Sequence, residues 1–155
     1  MHNIVEDKTF SKILLAIEES RTSVTDKVLD YATKVAQDYD AQLIVLHVIR
    51  SNANLTRTNI PSYVIEMKRR VEEHFIEITQ RIHERRDKEK TILRIKTEII
   101  ASVRIADAII SYAKDKHIDL IVIGTRGRSK LKSMLLGSVA SDVVRYANCP
   151  VLTIK

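Results

Sequence analysis

The chain has 155 residues, of which 45% are hydrophobic and 30% are charged. This length suits one globular domain, and the composition is too apolar for a disordered chain. The one cysteine, Cys149, excludes an internal disulfide, and the first residues lack the apolar run of a secretory signal. We therefore expect a single domain over residues 1–155 that is cytoplasmic and has no membrane-spanning segment.

The formal net charge of +6 would attract polyanions such as nucleotides, acidic proteins or nucleic acids. Acidic residues are interspersed among the basic ones, which is also typical of an ordinary solvated surface. The five Tyr and two Phe do not alternate with basic residues along a predicted strand, as stacking on single-stranded nucleic acid would require. Nucleic-acid binding is therefore not expected.

The first half of the chain predicts two strands and two helices in alternation. Continuous apolar runs at residues 13–17 and 43–49 are typical of strands buried on both faces of a parallel sheet. Between them, apolar residues recur every three or four positions from Val24 to Tyr39, which predicts a helix that begins near Ser23. The same spacing over residues 64–82 predicts a second, longer helix.

The second half continues this alternation. Over residues 93–99 apolar and charged residues alternate, which predicts an exposed strand at an edge of the sheet. Helices are predicted at residues 105–113 and 138–147, and strands at 120–123 and 151–154. The whole predicts a Rossmann-like α/β fold, a single doubly wound domain with a five-stranded parallel sheet and helices on both faces.

The three glycines of the chain, Gly124, Gly127 and Gly137, all fall in the connection between the fourth strand and the last helix. Ligands of doubly wound sheets bind at the carboxyl ends of the strands, where glycine permits positive φ or a close backbone approach to phosphate. Ser138 and the first amides of the helix could hold phosphate oxygens there. The alternative is that the glycines only form turns and Ser138 only caps the helix.

Gly124-Thr125-Arg126-Gly127, nine further residues and Gly137-Ser138 resemble the G-x-x-G-x9-G-[S/T] signature of ATP-binding universal stress proteins. The similarity extends to residues 119–123, 149–152 and 12–17, so it covers essentially the whole chain. It implies a fold of the adenine nucleotide alpha hydrolase-like type that binds ATP. Mg²⁺ is expected to accompany the ATP, because the acidic Glu19 near a polyanion site calls for a bridging cation. No protein side chain is assigned as a ligand of this ion.

The resemblance also implies which residues contact the nucleotide. The phosphates would lie against Gly127, Gly137, Ser138 and Val139. Gly124 and Arg126 would close the loop around the ribose-phosphate end. Ala16, Ile17, Glu18 and Val48 would form the adenine pocket, and packing in the core is the alternative for each of them. Glu18 departs from the family, which usually has Asp at that position, and Glu19 adds negative charge near a site for a polyanion.

No catalytic constellation accompanies this signature. The chain lacks the lysine of a P-loop, and its histidines lack metal-ligand spacing. We interpret His47 as a hydrogen-bonded core histidine and Cys149 as a structural thiol. The protein is therefore not expected to be an enzyme, beyond slow ATP hydrolysis at most.

Three functional hypotheses follow. The first is a nucleotide-dependent sensor or regulator in the stress response, whose basic loop over residues 126–136 orders on ATP. The second is a nucleotide-free dimeric module that binds a partner protein, which Glu18 and Glu19 favour. The third is a weak ATPase. The resemblance further suggests a homodimer formed through the last strand, with Val151, Leu152 and Ile154 at its interface.

Overall fold

Strands and helices alternate along the chain, as the sequence predicted. The computed structural model describes residues 9–18, 23–52, 60–85, 92–125 and 136–155. The strands are β1 (Lys12–Ile17), β2 (Gln42–Arg50), β3 (Ile95–Ser102), β4 (Leu120–Gly124) and β5 (Val151–Ile154). The helices are α1 (Ser23–Asp38), α2 (Ser62–Arg85), α3 (Ile105–Asp115) and α4 (Ser138–Tyr146).

The strands form a parallel sheet in the order β3-β2-β1-β4-β5. In the central strand, Ala16 lies opposite Leu46 of β2 and Ile123 of β4. The sheet grows outward from β1 to β3, and the chain then returns to place β4 on the other side of β1. The predicted doubly wound α/β fold and the edge position of β3 are thus confirmed.

The two halves of the chain cover opposite faces of the sheet. Helices α1 and α2 pack on one face in a hydrophobic cluster that includes Leu15, Val45 and Val122. Helices α3 and α4 pack on the other face in a second cluster that includes Leu14, Ile44 and Ile121. Neighbouring strand residues point to opposite faces, so a strand covered on both sides needs apolar residues at successive positions. This explains the continuous apolar runs of β1, β2 and β4.

Two non-glycine residues in the left-handed region end helices and turn the chain into the sheet. Asp40 has φ 49° after α1, and His117 has φ 53° after α3. In each case the next N–H donates back into the helix, from Ala41 to the Ala36 carbonyl at 2.8 Å and from Ile118 to that of Ala113 at 2.9 Å. These bonds satisfy carbonyl groups that a helix end leaves unpaired.

Candidate functional site

The candidate site lies where β1 and β4 end side by side. Ala16 and Ile123 are paired in register, and the strands then end at Ile17 and Gly124. The direction of the strand order reverses between these two strands. In doubly wound sheets, this reversal opens a crevice at the carboxyl ends of the strands, and ligands bind there.

Backbone hydrogen bonds of Thr125 hold the end of β4 next to the start of α4. Its N–H donates to the Ile154 carbonyl of β5 at 2.8 Å, and its own carbonyl accepts from the Gly137 N–H at 2.7 Å. The first turn of α4 is thereby held next to Gly124. Sequence analysis did not single out Thr125, although the residue stands inside the G-x-x-G motif that carried the prediction.

The first turn of α4 begins without a side-chain cap. Gly137 is its N-cap residue and makes no side-chain cap hydrogen bond. The first intrahelical bond runs from the Ser141 N–H to the Gly137 carbonyl at 2.9 Å, so the amides of Ser138, Val139 and Ala140 precede it. Such amides, together with the positive end of the helix dipole, favour an anionic group.

The glycines of the described residues do not adopt positive φ. Gly137 has φ −67° and ψ 162°, an extended conformation that any residue can adopt. A left-handed turn therefore does not explain why glycine stands at Gly124 or Gly137. The missing Cβ instead leaves room for a group to approach the backbone closely.

An apolar wall lies beside these amides. Ala16, Val48 and Val139 all belong to, or pack against, the cluster on the α3 and α4 face, and Val48 is buried. The structure places the Ile17 side chain in the opposite cluster, with α1 and α2. Ile17 can therefore contribute only its backbone to the candidate site at the end of β1. The exposed Glu18 follows it in the chain.

The structure thus brings together seven of the ten predicted contact residues at this edge of the sheet, with Ile17 present through its backbone. The seven are Ala16, Glu18, Val48, Gly124, Gly137, Ser138 and Val139. Arg126 and Gly127 lie outside the described residues, as do Glu19 and most of the loop that was expected to order on ATP.

His47 closes the end of β1 from the α1 and α2 side. The side chain is buried, and its Nδ1 lies 3.1 Å from the Ile17 carbonyl oxygen. Because a carbonyl only accepts, Nδ1 must carry the proton and donate. The interpretation of His47 as a hydrogen-bonded core histidine is confirmed, and the partner that it holds is a backbone group at the edge of the candidate site.

Cys149 and the other potential metal ligands of the described residues do not form a metal centre. Burial, followed by the nearby Asp119 carboxylate, raises the pKa of the Cys149 thiol above its usual value, which agrees with a structural role. Within the described ranges, no three His, Cys, Asp or Glu residues cluster closely enough to hold a metal ion. No helix in the described part of the chain has the length and apolarity to cross a membrane.

Comparison with known proteins shows a family and a fold that match this chain. The sequence model of the Universal stress protein family matches residues 9–155. Universal stress protein YxiE of Bacillus subtilis is 37% identical over a match that covers 94% of this chain and 99% of the relative. Universal stress protein G of Escherichia coli O157:H7 is 32% identical, with the same coverage of both chains.

One similar structure is universal stress protein UspA from Lactobacillus plantarum, with a TM-score of 0.75 and 26% identity over 94% of this chain and 98% of the other. A universal stress protein from Archaeoglobus fulgidus, solved in complex with dAMP, has a TM-score of 0.66 at 21% identity and covers 95% of this chain and 99% of its own. Both share the fold described above.

Proposed function

Because the chain belongs to the universal stress protein family, we propose that it binds ATP with Mg²⁺ and acts as a nucleotide-dependent sensor or regulator in the stress response. The observation that carries the proposal is the contact between the Gly137 N–H and the Thr125 carbonyl at 2.7 Å. This contact sets the uncapped start of α4 beside the end of β4, at the reversal of the strand order. A phosphate-binding cradle requires this arrangement.

The phosphates would accept hydrogen bonds from the first amides of α4 and from the exposed Ser138 hydroxyl. The side chain of any residue other than glycine at Gly137 would occupy the space that the phosphates need. Mg²⁺ would be held mainly by the phosphate oxygens, since this ion keeps several waters and few protein ligands when it accompanies a nucleotide. Arg126 and Gly127 complete the proposed contacts from the loop.

The adenine ring would pack against Ala16 and Val48, which share the α3 and α4 face with Val139. Apolar walls with a few polar groups are typical of small-ligand sites. The A. fulgidus protein that was solved with dAMP supports an adenine nucleotide as the ligand class. The Ile17 backbone and Glu18 would border the same pocket at the end of β1.

Calorimetric titration with ATP and Mg²⁺ tests the proposal on the wild type and on a Gly137→Val, Ser138→Ala double variant. Gly137 has φ −67°, so valine fits the backbone and the double variant should fold. We expect micromolar binding by the wild type and a loss of at least about 100-fold in the variant, about 2.7 kcal/mol. Ser141→Ala is the matched control, because Ser141 lies one turn further along α4 and its N–H is already bonded.

Absence of binding to all three proteins would overturn the proposal and favour a nucleotide-free interaction module. The exposed Glu18 at the end of β1 is the observation that favours this second function, because a carboxylate there repels phosphates. Hydrolysis is proposed to be slow at most. A steady release of phosphate that Ser138→Ala abolishes would instead identify a weak ATPase.

We also propose that the protein forms a homodimer through the free edge of β5. Val151 and Leu152 are partly buried there, and Val144 and Tyr146 of the neighbouring α4 are exposed. The Ile154 side chain is buried in the core of its own chain, so this residue would contribute only backbone pairing. Sedimentation that shows only monomer at micromolar concentration would contradict the dimer.

A further inference from the structure

The Thr125 side chain carries a buried hydroxyl group close to the candidate site. The residue is only 5% exposed, and its Oγ1 has no hydrogen-bond partner among the described residues. Buried hydroxyl groups in native proteins nearly always have a partner, because an unpaired one loses its bonds to water. Thr125 is one of the exceptions among the described residues, and it lies one residue past β4, at the candidate site.

The backbone fixes the direction of this side chain. The N–H groups of Ile121 and Thr125 donate to the carbonyls of Pro150 and Ile154, so Thr125 continues the alternation of β4. Ile121 and Ile123 both point to the α3 and α4 face. The Thr125 side chain therefore lies on that face, together with Ala16 and Val48 and next to the start of α4.

We propose that the Thr125 hydroxyl binds the ligand directly, by donating a hydrogen bond to an oxygen of the bound nucleotide. This inference rests on the proposed function and adds a side-chain contact to it. A hydroxyl that lacks a partner in the empty protein destabilises that state and gains its bond only when the ligand binds. Thr125 should therefore raise the affinity for ligands that place an acceptor oxygen next to its hydroxyl group.

Thr33 provides an internal control. It lies on α1, is 2% exposed, and its Oγ1 likewise has no hydrogen-bond partner in the described part of the chain. Helix α1 covers the other face of the sheet from α4. Replacing either threonine by valine removes a buried, unpaired hydroxyl and conserves the volume of the side chain.

The test compares Thr125→Val, Thr125→Ser and Thr33→Val by calorimetric titration with ATP and Mg²⁺ and by thermal melting of the nucleotide-free proteins. Thr125→Val is expected to weaken ATP binding about tenfold or more and to melt at the same temperature as the wild type or higher. Thr125→Ser should bind within about threefold of the wild type because it keeps the hydroxyl. Thr33→Val should not melt lower than the wild type and should bind ATP as the wild type does.

Wild-type affinity in Thr125→Val would overturn the inference while leaving the proposed function standing. A marked fall in its melting temperature would also overturn it, since the hydroxyl would then have a structural bond within the chain. If the wild type itself bound no ATP, the proposed function would fail, and that result is distinct from both of these.

Discussion

The two ends of the strand pair β1 and β4 differ in how their polar groups are satisfied. At the amino end, Asp119 Oδ2 accepts from the N–H groups of Ser11 and Lys12 at 2.8 and 2.9 Å, and the Asp119 N–H donates to the Lys12 carbonyl. At the carboxyl end, the amides that open α4 are uncapped, and Thr125 Oγ1 is unpartnered among the described residues.

This difference indicates that one end of the strand pair contributes mainly to stability and the other mainly to ligand binding. The bonds of the amino end are made within the chain, so they stabilise the fold whether or not a ligand is present. At the carboxyl end, the first amides of α4 precede the first intrahelical bond, so a bound molecule can use them as hydrogen-bond donors. Substitutions of groups bonded within the chain, such as those of the amino end, should therefore change the free energy of unfolding, and substitutions of the unpartnered groups at the carboxyl end should change affinity.

The largest change in stability is expected from Asp119→Ala. The substitution leaves the Ser11 and Lys12 amides without their carboxylate acceptor, and hydrogen bonds to charged groups contribute more than neutral ones. We expect a loss of about 2 kcal/mol in the free energy of unfolding, measured by urea denaturation. ATP affinity should not change. Asp119→Asn, which keeps an acceptor oxygen, should lose less. A fall in affinity without a fall in stability would break the distinction between the two ends.

A smaller loss is expected from His47→Leu, which removes the hydrogen bond between the His47 side chain and the Ile17 carbonyl at the carboxyl end. The Ile17 carbonyl would lose its buried donor, at a cost of about 1 kcal/mol in the free energy of unfolding. His47→Asn can place an N–H near the same position and should recover part of the loss. Equal stability of the leucine variant and the wild type would show that the bond contributes nothing.

The smallest effect is expected on the outer face of α2, which touches neither end. Hydrogen bonds from Arg69, and then from Arg70, lower the pKa of the Glu66 carboxyl from 4.5 to about 2. The stabilisation from a lowered carboxyl pKa is present above the ordinary value and is lost as the pH falls from 4.5 toward 2. The Glu66→Gln variant should lack this loss of stability at acid pH. Urea unfolding of both proteins at several pH values measures the difference. Because the side chains are exposed, the difference should be slight, and high salt should reduce it. A Glu66→Gln variant that loses stability over this pH range as the wild type does would contradict the assignment.

The fold could be predicted from the sequence because its elements are encoded locally. The apolar runs of β1 and β2 and the alternation in β3 depend on how many faces of each strand are covered. The candidate site could be predicted for the same reason, because the glycines that mark it all lie in one short connection before Ser138.

Other features depend on residues far apart in sequence, and local patterns do not encode them. Asp119 contacts a strand that begins more than a hundred positions earlier, and His47 holds a carbonyl 30 positions away. Ile17 is a different case, because the alternation of side chains along a strand already separates it from Ala16. For the Ile17 side chain, the structure thus favours the alternative of core packing, and its place in the adenine pocket is reduced to the backbone.

The most direct test of the account is to map the backbone amide chemical shifts of the ¹⁵N-labelled protein as ATP and Mg²⁺ are added. The account predicts that among the described residues the largest changes occur at Gly124, Thr125, Ser138 and Val139, and that Lys12 and Asp119 at the other end of the same strands remain unchanged. Changes centred on Lys12 and Asp119, or no changes at all, would contradict a nucleotide site at the carboxyl end of the sheet.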